Sequence, residues 1–183
     1  SGEPELVGDL AESWECEADD TVYVFHLKED AAFANGEPIT ASDVKFSFEM
    51  AAASPYQVSY AGMIQSVEVR DEHTLNIGAY NNILPWAWSH IYIASQAAYE
   101  ADPAAYATDP VESGAYTLEN LDTATGNMTL KARSDYWGPA PAIENVNIRI
   151  INDSDTAYVA LESGQIDVMS TSGSGATLLE KND

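Results

Sequence analysis

Residues 10–49 read LAESWECEADDTVYVFHLKEDAAFANGEPITASDVKFSFE, and this stretch decides the fold. Trp14 and Cys16 alternate with polar residues, the pattern of a strand with one covered face. Ala18-Asp19-Asp20 turns the chain. Beyond the turn, Val22, Val24 and His26 face one side while Tyr23, Phe25 and Leu27 face the other. Large apolar groups on both sides predict a second strand that is covered on both faces. Cys16 is the only cysteine, so no intrachain disulfide forms, and its place in the alternation predicts a small buried hydrophobe. Asn35-Gly36 is a tight-turn signal. Thr40 suits an N-cap, with Asp43 three residues on in the position of a capping-box acid, close to the positive end of the helix dipole. Val44, Phe48 and Ala51 then recur at helical spacing beside Phe46 and Met50. A helix is predicted over 41–53, stopped by Ser54-Pro55.

Working outward, MIQSVEVRDEHTLNIGAY (63–80) reads as a second hairpin, with Val67, Val69, Leu75 and Ile77 as its apolar positions and the DEHT run as its turn. Residues 81–110 are rich in alanine and aromatic residues and predict short helical pieces broken by Pro85, Pro103 and Pro110. Pro110 is the expected lobe boundary. From Val111, SGAYTLENLD and GNMTLKARS predict paired strands, and ENVNIRIIN predicts another with Val146, Ile148 and Ile150 alternating. DSDTAYVALESG (153–164) predicts a helix capped by Asp153 or Ser154 and closed by Gly164. QIDVM (165–169) predicts a short strand, completing a βαβ-like unit. Between the strands, ARSDYWGPAP (132–141) sets Tyr136 and Trp137 among turn residues. Two such large rings are expected to plug the end of the second unit's sheet while Gly138, Pro139 and Pro141 turn the chain.

Composition narrows the function. The 183 residues include 30 acidic and 7 basic ones, a net charge of −23. Nucleic-acid binding is disfavoured because phosphate contacts need Lys and Arg, and anionic membrane surfaces are disfavoured for the same reason. No run approaches the length of a membrane-spanning helix. His26, His73 and His90 lack metal-ligand spacing, and there is no nucleophile elbow, P-loop or dinucleotide fingerprint. Asp153 and Asp155 begin a D-x-D pattern, but Tyr158 stands where a calcium loop needs glycine. No catalytic residue, metal or cofactor is expected. One aromatic cluster remains: Tyr56, Tyr60, Trp86, Trp88 and Tyr92 lie in Pro-broken segments, where they either line a ligand cleft or pack a core under long loops.

Several phrases together resemble one family. Ser13-Trp14-Glu15, Val24-Phe25-His26-Leu27, Asn35-Gly36 and Thr40-Ala41-Ser42-Asp43-Val44 resemble the signature region of bacterial solute-binding proteins of the peptide and nickel ABC-transporter class, family 5. ESGAYTL (112–118) resembles the family's Gly-Pro-Tyr strand start, with Ala115 in place of the usual proline, which relaxes that turn. DYWG within 135–138 resembles its Tyr-Trp-Gly segment, and DTAYVALESGQIDV (155–168) its helix ending in Gly-x-Ile-Asp. Cys16 stands where an aliphatic residue is usual. The resemblance implies a mixed α/β fold (α+β) of the type II periplasmic-binding-protein kind. Residues 1–110 would be the small lobe of this class, with β-hairpins and a capped helix, and 111–183 part of the first main α/β lobe.

Family members run to several hundred residues, so the resemblance implies a fragment. It further implies a non-enzymatic, substrate-binding component of an ABC importer. Such a protein captures a peptide or similar small solute outside the cytoplasm and delivers it to permease subunits. A membrane association would come only through an anchor outside this chain, as in a periplasmic or cell-surface lipoprotein. Tyr56 and Tyr60 match a segment near the family's pocket, and Trp88 stands behind them as a third ligand contact. The competing expectation is a stand-alone interaction or scaffold module that reuses this block.

Overall fold

A computed structural model of the chain describes residues 7–17, 21–57, 62–80 and 91–170. The chain forms two compact units, one of residues 1–119 with 130–146 and one of 120–129 with 147–183.

The first unit carries a four-stranded sheet in the order β1-β2-β4-β3, with β1 at Ala11–Glu17, β2 at Val22–Leu27, β3 at Ile64–Val69 and β4 at Thr74–Ala79. Both predicted hairpins are present, and every neighbouring pair is antiparallel. Because β4 lies between β2 and β3, those two strands run parallel, and helix α1 (Ala41–Ala53) is the crossover between them. A parallel pair needs such a connection, since a tight turn cannot reverse the chain twice. Register pairs Tyr23 with Ile77 and Phe25 with Leu75, so their side chains share one face. Val44, Phe48 and Ala51 of α1 pack on that face together with Leu27 and Ile91. Each fully covered side chain of this size stabilises by about 1.5–3 kcal/mol. On the opposite face of β2, Val24 is completely buried, as the two-sided apolar pattern predicts.

Cys16 departs from its expected burial and is exposed. It pairs with Tyr23 near the outer end of β1, which is an edge strand. Alternation selects a face, but burial depends on what covers that face, and the cover does not reach Cys16. Trp14, one pair further in, is partly buried against the core.

Helix α1 starts and stops where its sequence directs. The Thr40 hydroxyl donates to Asp43 Oδ2 at 2.7 Å and accepts from the Asp43 N–H at 3.4 Å, while the Thr40 N–H donates to the same carboxylate at 3.0 Å. The other carboxylate oxygen accepts the Gln96 N–H at 3.0 Å. One turn on, the Ser47 hydroxyl donates to the Asp43 carbonyl and accepts the Ala94 N–H at 2.9 Å. The helix is thereby tied to the segment that leads into α2 (Gln96–Ala101) and α3 (Pro103–Tyr106), two short helices separated as Pro103 predicts.

Strands β5 (Tyr116–Leu121), β6 (Met128–Ala132) and β7 (Asn145–Ile148) form a three-stranded sheet in that order. Within the second unit, Asp122 organises the β5–β6 turn by accepting from the Ala124 N–H and the Thr125 hydroxyl. Gly126 adopts φ 77° there, in the left-handed region that glycine enters freely. Helix α4 (Ser154–Glu162) is capped by Asp153, which accepts from the Thr156 N–H at 2.8 Å. It ends at Gly164 (φ 70°), where Gln165 N–H donates to Ala160 O and Gly164 N–H to Leu161 O. This paired arrangement satisfies carbonyls that the helix end leaves free.

The strand expected at 165–169 is not formed, and Val168 is 84% exposed. A β pattern becomes a strand only where a neighbouring backbone offers partners. Among the described residues none does so here, so the βαβ-like unit lacks its second strand.

Two outcomes follow from this architecture. Thr40→Ala removes the hydroxyl that donates to the buried Asp43 carboxylate and accepts from the Asp43 N–H, so it should lower stability by about 1 kcal/mol in a urea melt, with an unchanged circular-dichroism spectrum. The second concerns pH. Asp71 is held below the ordinary carboxylate value by the His73 N–H, Asp122 by the Thr125 hydroxyl and Asp153 by the Thr156 hydroxyl. A depressed folded-state value adds stability above the unfolded value, and that stability is lost as pH falls through the folded one. Net repulsion acts oppositely and eases as carboxylates protonate. Thermal melts should therefore rise modestly from about pH 8 to about 5.5 and fall once pH drops below 3.8, the unperturbed aspartate value.

Candidate functional site

The segment after β6 contains Arg133, whose residue is 7% exposed. Its guanidinium Nη1 donates to Gly114 O at 3.1 Å, and Nη2 donates to Phe33 O at 3.1 Å. Both also reach Ala32 O at 3.4 Å, and Nε donates to Asp135 Oδ1 at 3.1 Å. This bond and the positive charge hold the Asp135 carboxyl below its ordinary value. Three stretches far apart in sequence, 32–33, 114 and 133–135, are thus bound to one planar cation. Backbone bonds reinforce the same junction: Ala34 N–H donates to Glu112 O, and Arg133 N–H to Ala115 O. Arginine suits this place because its fork presents several donors in fixed directions.

The clamp sets the position of the two rings that follow. Trp137 packs on the buried cluster of Ala31, Phe33 and Ile39, with Lys28 Nζ 4.8 Å from its ring centre. Tyr136 lies against Trp137 with ring centres 4.8 Å apart. The expectation that these rings plug the end of the β5-β6-β7 sheet is corrected here. They pack on the bridge-and-turn segment before α1, because Arg133 holds their backbone there. A Cβ at Gly138 would lie 2.5 Å from the Tyr136 ring, so a larger residue there displaces that ring.

Beside the two rings the first unit holds a cavity of about 560 Å³. The sheet contributes Trp14, Phe25, Leu75 and Ile77, and α1 contributes Val44 and Phe48. The rim includes Asp9, Tyr92, Ser113 and Tyr136. Its size lies within the range of small-molecule sites, which are mostly apolar with a few polar groups that fix orientation. The Ser113 hydroxyl is already used, donating to Ile93 O at 3.1 Å. Burial pushes the Tyr136 phenol up, and the negative charge of Asp9 adds to that rise. Trp137 lines the cavity, and its indole N–H is sealed from solvent without an acceptor among the described residues.

A second hollow of about 390 Å³ lies beside the start of α1, with Glu37, Asp43, Ser95 and Glu100 on its walls. Its central carboxylate, Asp43, is fully engaged by Thr40 and Gln96, and Ser95 caps α2 through the Ala98 N–H. These groups serve the fold. No group of three metal-ligating side chains is present among the described residues. No helix among them is long and apolar enough to cross a membrane.

Of the residues that the sequence points to, Tyr56 lies in the turn after α1 and is 91% exposed. Tyr60 and Trp88 lie outside the described residues, so their placement is not part of this geometry. Sequence reasoning passed over Arg133, Trp14 and Asp9. For Arg133 a signal existed: it is one of only 7 basic residues and adjoins the aromatic turn.

Comparison with known proteins resolves the family. The family model of bacterial extracellular solute-binding proteins, family 5 (middle region), matches residues 5–183. This chain belongs to that family. Members are binding components of transport systems and not enzymes. A probable D,D-dipeptide-binding periplasmic protein, DdpA of Escherichia coli K12, is 27% identical over 91% of this chain and 34% of its own length. Among solved structures, the binding protein MoaA of A. tumefaciens R10 in complex with mannopinic acid is 28% identical with a TM-score of 0.72, covering 87% of this chain and 34% of that one. DppA of Helicobacter pylori with the peptide STSA is 26% identical with a TM-score of 0.71, covering 88% and 37%. The family 5 chain described here therefore spans about a third of the length of the relatives it matches, and its fold is part of a type II periplasmic-binding-protein architecture.

Replacing Arg133 tests the junction. Arg133→Met keeps most of the volume but strands the carbonyls of Ala32, Phe33 and Gly114. A loss on the order of 3 kcal/mol is expected in a urea melt, and Arg133→Lys should recover only part of it. A methionine variant with the parent's midpoint would contradict the assigned role.

Proposed function

We propose that this chain is part of the solute-capturing component of an ABC importer, working outside the cytoplasm and handing its ligand to permease subunits. The observation that carries the reading is the apolar, aromatic cavity of about 560 Å³ in a chain matched to family 5 over residues 5–183. Such a mostly apolar hollow offers enclosure, which suits reversible capture. Relatives named for a dipeptide, a peptide and mannopinic acid favour small organic solutes bearing amide and carboxyl functions, with peptides as the first class to test. Residues 1–110 would act as the small lobe and 111–183 as part of the first main lobe, joined by the Arg133 clamp. Any membrane tether, including a lipid anchor, would lie outside these residues.

Tyr56, Tyr60 and Trp88 are proposed as ligand contacts. The 91% exposure of Tyr56 leaves its ring available to a solute. Aromatic side chains supply contact area at little entropic cost, which is what a broad-specificity solute wall requires.

The test is calorimetry of the 183-residue chain against a mixed di- to pentapeptide library. A wall contributed by a third of a binding protein encloses little of its ligand, so affinity should be no tighter than about millimolar, near −4 kcal/mol. Recovered peptide should be chemically unchanged. A micromolar ligand would mean that the site is self-contained, and peptide cleavage would overturn the binding reading.

A further inference from the structure

Asn35-Gly36 is the only Asn-Gly step in the sequence, and both residues are exposed. Glycine has no side chain to shield its backbone nitrogen, and a Cβ built at Gly36 would meet nothing within 4 Å. Crowding therefore does not keep that nitrogen from the neighbouring Asn35 amide. Hydrogen bonds do hold every group that would have to move. Gly36 N–H donates to Phe33 O at 3.0 Å. Asn35 Oδ1 accepts the Glu37 N–H at 3.0 Å, and Asn35 Nδ2 donates to Glu37 Oε2 at 2.8 Å. Phe33 N–H donates to Glu37 O at 2.9 Å and closes the turn, with Gly36 at φ 84°.

We propose that Asn35 is a site of spontaneous deamidation, slowed by the turn that holds it and coupled to the Arg133 junction. The Gly36 nitrogen attacks Asn35 Cγ, so the N–Cγ bond forms and the Cγ–Nδ2 bond breaks. The Gly36 proton passes through solvent to the departing nitrogen, which leaves as ammonia. Water then opens the cyclic imide at either carbonyl, giving aspartate or isoaspartate, and no other reactant is needed. The turn opposes the first step, because the attacking nitrogen must leave Phe33 O and the amide must turn away from Glu37. The Glu37 carboxylate also repels the negative charge that forms when Gly36 N loses its proton. The products reach beyond the turn. Phe33 O accepts from both Gly36 N–H and Arg133 Nη2. The cyclic imide lacks the first of these donors, and isoaspartate, which regains it, carries an extra methylene in the main chain. Either product adds a charge beside Glu37 in a chain of net charge −23. Conversion at Asn35 thus loosens the loop whose carbonyls hold Arg133. This holds whether or not the cavity captures a solute.

The experiment incubates the full chain in mildly alkaline buffer, digests samples in acid and follows the peptide containing Asn35 by mass spectrometry. Chromatography separates its aspartate and isoaspartate forms. Both forms should accumulate in the folded chain, and the guanidinium-unfolded chain should convert faster. Glu37→Ala, at an exposed position, should convert about 5-fold faster than the parent, the scale of one lost hydrogen bond. Glu37→Gln, which keeps an acceptor, should fall between the two. Asn35→Gln should show no conversion at this position. The isolated isoaspartate form should unfold at lower urea than Asn35→Asp, which carries the charge without the extra methylene. No conversion in the folded chain, or aspartate without isoaspartate, overturns the site. A parent rate equal to that of the unfolded chain or of Glu37→Ala overturns the restraint by the turn. An isoaspartate form with the urea midpoint of the parent overturns the coupling to Arg133.

Discussion

A single buried guanidinium organises the junction beside the first-unit cavity. Arg133 would be prohibitively unfavourable in an apolar interior without partners. It is tolerated because its donors meet the carbonyls of Ala32, Phe33 and Gly114 and the carboxylate of Asp135. The surplus of negative charge over the whole chain also favours a cation there. The bonds are cooperative in a geometric sense, since the loop before α1, the approach to β5 and the exit of β6 must all be in place for any of them to form well. Once they form, the backbone of 135–138 is directed onto the Phe33–Ile39 cluster, and Tyr136 and Trp137 have one place to go.

The other side of the cavity depends on a smaller device of the same kind. Asp43 and Ser47 sit on successive turns of α1, and both are buried. Each serves its own helix and also holds the 94–96 segment through a backbone N–H. Ile91 and Ile93 are thereby drawn against the sheet. Satisfied polar groups fix positions that apolar packing alone would leave adjustable, because hydrogen bonds are directional and hydrophobic contact is not. The hollow is consequently walled by elements pinned from two directions, with its apolar lining supplied by strands whose register is set independently.

The acidic groups of this arrangement largely serve the fold. The carboxylates with depressed values, such as Asp71, Asp122 and Asp153, are engaged in turns and caps. The described lining of the cavity is mostly apolar, with Asp9, Tyr92, Ser113 and Tyr136 among its few polar residues. Membership of family 5 agrees with that chemistry. The relatives compared here bind or are named for different solutes on a shared fold, so discrimination lies in local groups rather than in the architecture.

Much of the fold was written in the sequence where local physics is sufficient. The helix over 41–53 follows from Thr40, Asp43, the apolar spacing and Ser54-Pro55, all within one segment. The hairpins follow from alternation and turn residues, and the family phrases run through the same segments. Local pattern did not reveal Cys16, whose burial depends on what overlies an edge strand, or the 165–169 stretch, which requires a neighbouring backbone. The aromatic turn was half legible: Tyr136 and Trp137 plainly had to be covered, but the covering surface lies about a hundred residues earlier in the chain. Of the proposed contacts only Tyr56 falls in the described geometry. Of the cavity only Tyr92, one of the aromatic residues singled out in the Pro-broken segments, was legible; Asp9 and Trp137 on the same lining were not. Sequence determined which segments fold and which faces are apolar, because those depend on spacing of a few residues. Tertiary structure decided which faces meet and which polar groups remain unpaired, because that depends on long-range contacts such as those of Arg133.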